Sequence, residues 1–200
     1  MSSQIASVSY GVSESEEALL ERLRHGDAAA FEPLFLEHYG RVYRVAYSLM
    51  GNREEAEDLA QETFLALYDR PPAGGHAPLV AWLCRVALNR GYNALRGQRR
   101  AQNRIERLAE PPVQIDPHSE LVRAEERALV RAALAELPER QGKLLLLRYA
   151  GLSYAEIAAA LGVAASSIGT LLARAERAFV ERYELLQGPA HPHLHDTRTL

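Results

Sequence analysis

Residues 145–180, LLLRYAGLSYAEIAAALGVAASSIGTLLARAERAFV, decide the fold of the second half of this chain. Ser153 and Glu156 form an S-x-x-E capping box, which opens a helix by satisfying its free N–H groups. Ile157 and Leu161 give that helix an apolar face, and Ala158 lets a second helix approach closely. Gly162 suits the left-handed turn that closes a helix. A second helix opens near Ala165, with Ile168, Leu171, Leu172, Ala175 and Phe179 recurring at helical spacing as its buried stripe. Ser166, Thr170, Arg174 and Arg177 fall on the opposite face, free to meet a ligand. Helices joined this way can present the second helix to the major groove of DNA. The same pattern also suits a helical hairpin in an ordinary bundle, so the rest of the chain has to decide.

Two hundred residues suffice for one or two domains. Ala, Leu, Glu and Arg dominate, which points to an all-helical chain. No apolar run is long enough to span a membrane, and the first dozen residues show no secretory pattern. The expected location is therefore cytoplasmic, without membrane insertion. Cys84 is the only cysteine, which excludes an intramolecular disulfide and fits a reducing compartment. Lys143 is the only lysine; the other basic residues are arginines, better suited to bidentate contacts with phosphates or base edges.

The net charge of −3 at first argues against nucleic acid, but its distribution reverses that. Residues 1–70 carry thirteen acids against six arginines, a balance of −7. Residues 85–107 carry seven arginines against Glu106 alone, a balance of +6. A basic stripe beside an acidic surface implies two partners, one polyanionic and one not.

Residues 1–12 read as disordered. Ser13 and Glu16 form a capping box for a short helix through His25. Asp27 caps the next run, whose stripe is Phe31, Leu34, Phe35, Tyr39, Val42, Tyr43, Val45 and Ala46. Gly51 stops it, and Asn52 caps a helix over 53–68 whose acidic first turns suit the helix dipole. DRPPAGGHAP (69–78) is a loop by composition, followed by a helix from 79 to about 100. Residues 13–103 thus form one helical domain. Three prolines within 108–118 mark a linker, placed over 104–118, and 119–186 form a second helical domain. The tail from 187 to 200 has no periodicity. Its His191, His193 and His195 lack the companions of a metal site and read as part of a flexible segment.

On the helix 53–68, Leu59, Phe64, Leu65 and Tyr68 are expected on the buried side, with Glu55, Asp58, Gln61 and Glu62 outside. That acidic face suits a basic protein helix better than a metal, and a merely solvated face is the plain alternative. In AWLCRVALNRGYNALRGQRR (81–100), Leu79, Trp82, Leu83 and Val86 point inward, and Cys84 is a buried small residue. Arg85, Asn89, Tyr92 and Arg96 share another face, continued by Arg99 and Arg100. Arginine for phosphates, asparagine for base edges and tyrosine for stacking are the means of single-strand recognition. No nucleophile–base order, phosphate loop or metal-ligand pair is evident, so neither catalysis, a metal nor a cofactor is expected.

AEDLAQETF (56–64), WLCRVALNRGYNALR (82–96) and LPERQ…LLLRYAGLSYAEIAAALG (137–162), in that order, resemble the bacterial extracytoplasmic-function (ECF) sigma factors. The resemblance covers about residues 13–186. It implies an all-α chain of two small helical domains joined by a flexible linker: a region 2 that binds RNA polymerase and melts the −10 promoter element, and a region 4 that reads the −35 element. It gives Asp58, Gln61 and Glu62 a polymerase-facing role. Asn89, Asn93 and Arg96, with the loop 69–78, take the −10 role, and Ser166, Ser167, Thr170 and Arg174 the −35 role. Core RNA polymerase, promoter DNA and an anti-sigma factor are the implied partners. The chain departs from the pattern at Asn93, where such proteins often carry aspartate, and at Gly169, Leu171 and Glu176, which replace basic residues on the recognition helix. A helix-turn-helix regulator acting without polymerase is the alternative reading.

Overall fold

The computed structural model describes residues 14–73, 78–106 and 121–188. Four helices make the first unit: α1 (Glu16–Arg24), α2 (Phe31–Met50), α3 (Arg53–Asp69) and α4 (Leu79–Glu106). The second contains α5 (Leu121–Glu136), α6 (Glu139–Tyr149), α7 (Tyr154–Leu161) and α8 (Ile168–Gln187). No strand occurs among the described residues. Residues 1–13, 74–77, 107–120 and 189–200, with the readings made for them, among these part of the loop 69–78, lie outside that description.

Local chemistry sets most boundaries. The cap of α1 is Ser15, whose hydroxyl accepts from Ala18 N–H at 3.3 Å, two residues later than the Ser13 box anticipates. Asp27 accepts from Ala29 N–H at 3.0 Å and starts a 3-10 turn that runs into α2. Gly51 ends α2 at φ 72°, a left-handed conformation costly for other residues. Asn52 then accepts from the N–H groups of Glu54 and Glu55 and opens α3.

Within the first unit, Phe64 of α3 lies under Phe31, Phe35 and Tyr39 of α2, with ring centroids 4.8–6.3 Å apart. Leu79, Leu83 and Ala87 of α4 complete that core with Leu34, Val42 and Leu67. His38, 3% exposed, joins it as a buried polar residue. Its Nε2 lies 2.8 Å from a Glu16 carboxylate oxygen, while the other oxygen of Glu16 accepts from Leu79 N–H at 3.2 Å. One carboxylate therefore ties α1 to both α2 and α4.

The helix α4 has a second apolar stripe. Val80, Ala81, Cys84 and Leu88 are all buried, but they face the second unit, where Leu144, Leu147, Leu152, Ile157 and Ile168 join them in a shared core. The two units expected to be separate are packed together through α4 against α7 and α2 against α6.

Candidate nucleic-acid and polymerase interface

The helix-turn-helix has the local structure its sequence specifies. Ser153 Oγ accepts from Glu156 N–H at 3.3 Å and the Glu156 carboxylate accepts from Ser153 N–H at 2.7 Å, closing the box. Gly162 caps α7 at φ 67°, and the chain leaves for α8 at 109° to α7, within the range of DNA-binding helix pairs. Ala165–Ser167 forms a 3-10 turn that leads into α8. Ile168, Leu172 and Ala175 are buried beneath, while Ser166, Ser167, Thr170, Arg174 and Arg177 are all exposed on one side. The structure thus brings together the five residues selected from sequence on this helix.

On α3, Asp58, Gln61 and Glu62 are exposed. Two neighbours depart from expectation: Leu65 and Tyr68 are not on the buried side but 59% and 48% exposed. The inward positions are Leu59, Thr63, Phe64 and Leu67, and a helix cannot bury Leu65 with them at 100° per residue. Asp58, Gln61, Glu62 and Leu65 instead form one i, i+3, i+4, i+7 stripe, acidic with an apolar end. Such a stripe suits a protein partner better than water alone. Glu62 accepts from Arg90 of α4 at 2.9 Å, whereas no ion pair is formed by Asp58 among the described residues.

On α4, Arg85, Asn89, Asn93, Arg96, Arg99 and Arg100 are exposed as expected. Tyr92 is not: it is half-buried, packed against the shared core. Burial, reinforced by the charge of Glu139, pushes its phenol up to about 12. The tyrosine lies under α6 because Gly142 leaves room for its hydroxyl, where any Cβ would collide with it. Lys143 stands over the Tyr92 ring, 5.4 Å from its centroid, and donates to Asn89 Oδ1 at 2.8 Å. Arg96 donates to Glu139 of α6 and to Asn93 on its own helix. The Asn93 amide thus accepts a charge-assisted hydrogen bond from the Arg96 guanidinium. Lys143, followed by Arg96, holds the Glu139 carboxyl below its usual value.

Sequence reasoning missed the residues of α6 that meet this face. Glu139, Gly142 and Lys143 sit at i, i+3, i+4, and the only available signal was the single lysine of the chain. Cys84 is buried as anticipated, its thiol pushed up to about 12 by desolvation. Glu16, Glu37 and His38 have ligand atoms close together, but the His38–Glu16 contact already accounts for the pair. No single described helix is long and apolar enough to cross a membrane.

Comparison with known proteins finds two family matches along the chain. Residues 34–101 match the family pattern Sigma-70 region 2, and residues 127–179 match Sigma-70, region 4. The ECF RNA polymerase sigma factor SigE of Mycolicibacterium smegmatis is 37% identical over 161 residues, spanning 76% of this chain and 61% of that protein. The ECF RNA polymerase sigma factor SigL of Mycobacterium tuberculosis is 34% identical over 157 residues, spanning 76% of this chain and 88% of that protein. Among solved structures, the sigma factor RpoE in complex with the anti-sigma factor NepR from Bartonella quintana aligns at TM-score 0.54 and 26% identity, covering 76% of this chain and 95% of that one.

Proposed function

The chain belongs to the ECF sigma factors, and from that premise we propose how its surfaces divide the work of promoter-specific transcription initiation. Residues 13–103 act as region 2 and residues 119–186 as region 4, with 104–118 the connection. Asp58, Gln61 and Glu62, extended by Leu65, bind core RNA polymerase. Arg85, Asn89, Tyr92, Asn93 and Arg96, with Arg99 and Arg100, take the melted −10 strand, guanidiniums on phosphates and the tyrosine ring on a base. Ser166, Ser167, Thr170, Arg174 and Arg177 read the −35 element from the major groove.

The observation that carries this division is the coexistence of an acidic-apolar stripe on α3, a basic-amide face on α4 and a basic-hydroxyl face on α8. The protein contributes positioning and strand capture in the cytoplasm, and phosphoryl transfer belongs to the polymerase. An anti-sigma factor is a further partner, supported by RpoE having been solved with one.

Run-off transcription with core polymerase tests the assignment, combined with permanganate footprinting of the melted region. Asn89→Ala and Arg96→Ala should reduce opening more than holoenzyme assembly, by about 1–3 kcal/mol per lost contact. Lost polymerase binding with an unchanged footprint in the remaining complexes would remove these residues from the −10 role.

A further inference from the structure

A cavity of about 680 Å³ opens between α2 of the first unit and α5, α6 and α8 of the second. Protein interiors are close-packed, and voids larger than a water molecule are few. A space of this size at a junction of packed units falls among small-molecule sites, which run from about 300 to 1,000 Å³.

The walls are apolar with a cationic border. Val130 and Leu134 of α5, Leu145 of α6 and Phe179 of α8 all line the cavity and are only partly buried. Tyr43 and Tyr47 of α2 line it as well, their rings stacked with centroids 6.0 Å apart. This apolar surface remains in water although buried cores lie directly behind it.

Four arginines, Arg44, Arg127, Arg131 and Arg148, stand among these groups against Glu126 and Glu176, a balance of +2. None of the four forms an ion pair among the described residues. Arg131 lies against Gly51 at the end of α2, and Arg148 stands over the Tyr154 ring, 5.7 Å from its centroid. Arg44 and Arg127 are exposed, one from each unit, and both can give charge-assisted hydrogen bonds to one anion. Uncharged polar groups on the walls are limited to the Ser48 and tyrosine hydroxyls, with no side-chain amide. A nucleobase, which is read through paired donors and acceptors, finds little to meet it. A hydrocarbon body with an anionic head matches both the apolar walls and the excess of arginine.

We propose that this cavity binds a free amphipathic anion of the acyl carboxylate class. The chain lies along Val130, Leu134 and Leu145, and the carboxylate sits between Arg44 and Arg127. The site is independent of the −10 and −35 roles. Its walls come from both units, so the ligand stabilises the folded chain in proportion to its binding.

Decanoate, kept below its micelle-forming concentration, is titrated into the full-length protein by calorimetry and in thermal melts. 1-Decanol carries the same chain without charge, and acetate the same head without the chain. One decanoate should bind per chain and raise the melting temperature. 1-Decanol should bind about tenfold more weakly, the scale of two partly exposed charge contacts, and acetate should give no heat. Octanoate should be weaker than decanoate by up to about fifteenfold, the gain from burying two methylenes. Arg44→Gln with Arg127→Gln should reduce decanoate to the affinity of 1-decanol and leave 1-decanol unchanged. Val130→Asp sets an acid in the apolar wall, should abolish binding of both, and serves if the double variant loses its helical circular dichroism. Decanoate and 1-decanol binding alike to the wild type would overturn the anionic head. Absence of binding, several equivalent decanoates per chain, or undiminished affinity in the folded variants would overturn the site.

Discussion

Arg41 of α2 reaches Glu156 of α7, 115 residues away, and binds the carboxylate oxygen that the capping box leaves free. Burial would raise the Glu156 carboxyl, but the Ser153 N–H and hydroxyl, with Arg41, outweigh it and hold the carboxyl below its usual value. The group that starts the helix-turn-helix is thus also the group that fastens it to the first unit. Ser153→Ala should cost about 1 kcal/mol through the lost cap. Glu156→Ala should cost more, because it removes the reciprocal bond and the Arg41 contact together. Thermal denaturation of both variants and of Arg41→Ala checks this. Equal losses for Ser153→Ala and Glu156→Ala would show that the Arg41 contact contributes nothing.

Reversing charge on α3 separates surface from scaffold. Asp58 is exposed and forms no ion pair among the described residues, so Asp58→Arg should leave the melting temperature nearly unchanged while removing polymerase binding. A reversed charge at an interface adds repulsion to the loss of attraction. Glu62→Arg should act on both, since it also faces Arg90 with a like charge. Leu65→Ala should weaken polymerase binding without a folding cost, because its side chain is already in water. Affinity for immobilised core enzyme, paired with thermal melts, distinguishes the three. Full affinity in folded Asp58→Arg would sink the polymerase role of this stripe.

Much of this could be read from the sequence because it is locally determined. Ser153, Glu156 and Gly162 specify a helix, its start and its stop within ten residues, and Asn52 and Gly51 do the same for the α2–α3 corner. The exposed face of α8 follows from periodicity alone. What periodicity could not show is that α4 has two buried stripes. Leu79, Leu83 and Ala87 serve the first core while Val80, Ala81, Cys84 and Leu88 serve the shared one. A helix apolar on two sides reads as one broad face until its neighbours are known. The half-burial of Tyr92 escapes the sequence for the same reason, since its cover comes from Gly142, fifty residues on, where no local signal marks the approach. Leu65 failed differently: it was assigned inward by hydrophobicity although its position lies outside the stripe.

The Glu16–His38 contact predicts a pH dependence. Its bond with His38 lowers the Glu16 carboxyl, against opposing desolvation, with further lowering from Leu79 N–H. The folded state therefore holds the carboxylate deprotonated at lower pH than the unfolded chain does. The stability from this carboxylate is complete above the unfolded value of about 4.3 and is lost as pH falls through the depressed folded value. Wild type should lose melting temperature more steeply than Glu16→Gln below about pH 4.5. Parallel melting curves across pH 3–7, a range set about the ordinary carboxylate value, would show that the pair contributes no linkage.

The last expectation concerns the recognition helix, where the charge is sparse. Thr170 and Arg174 are exposed one turn apart on α8, with Ser166 on the preceding turn and Ile168, Leu172 and Ala175 buried on the other side. Truncating the exposed residues opens no cavity, so their effects should fall on DNA and not on folding. Gly169 and Glu176 offer no positive charge nearby, and Arg177 shares the exposed side but stands a turn further from the start of α8, the end of a recognition helix that meets base edges. Arg174 then carries a disproportionate share of any contact with the duplex. Arginine can bind guanine O6 and N7 through two bonds, worth about 1–3 kcal/mol of discrimination, whereas a hydroxyl supplies a single weaker bond. Arg174→Ala should reduce initiation at a promoter with an intact −35 element by about 5- to 150-fold. Ser166→Ala and Thr170→Ala should shift sequence preference more mildly. Transcription from a panel of single-base −35 variants, compared between wild type and Arg174→Ala, distinguishes the possibilities. Loss confined to one base position identifies the base that Arg174 reads. A uniform loss across the panel would reduce its role to phosphate contact, and no loss would remove α8 from the DNA.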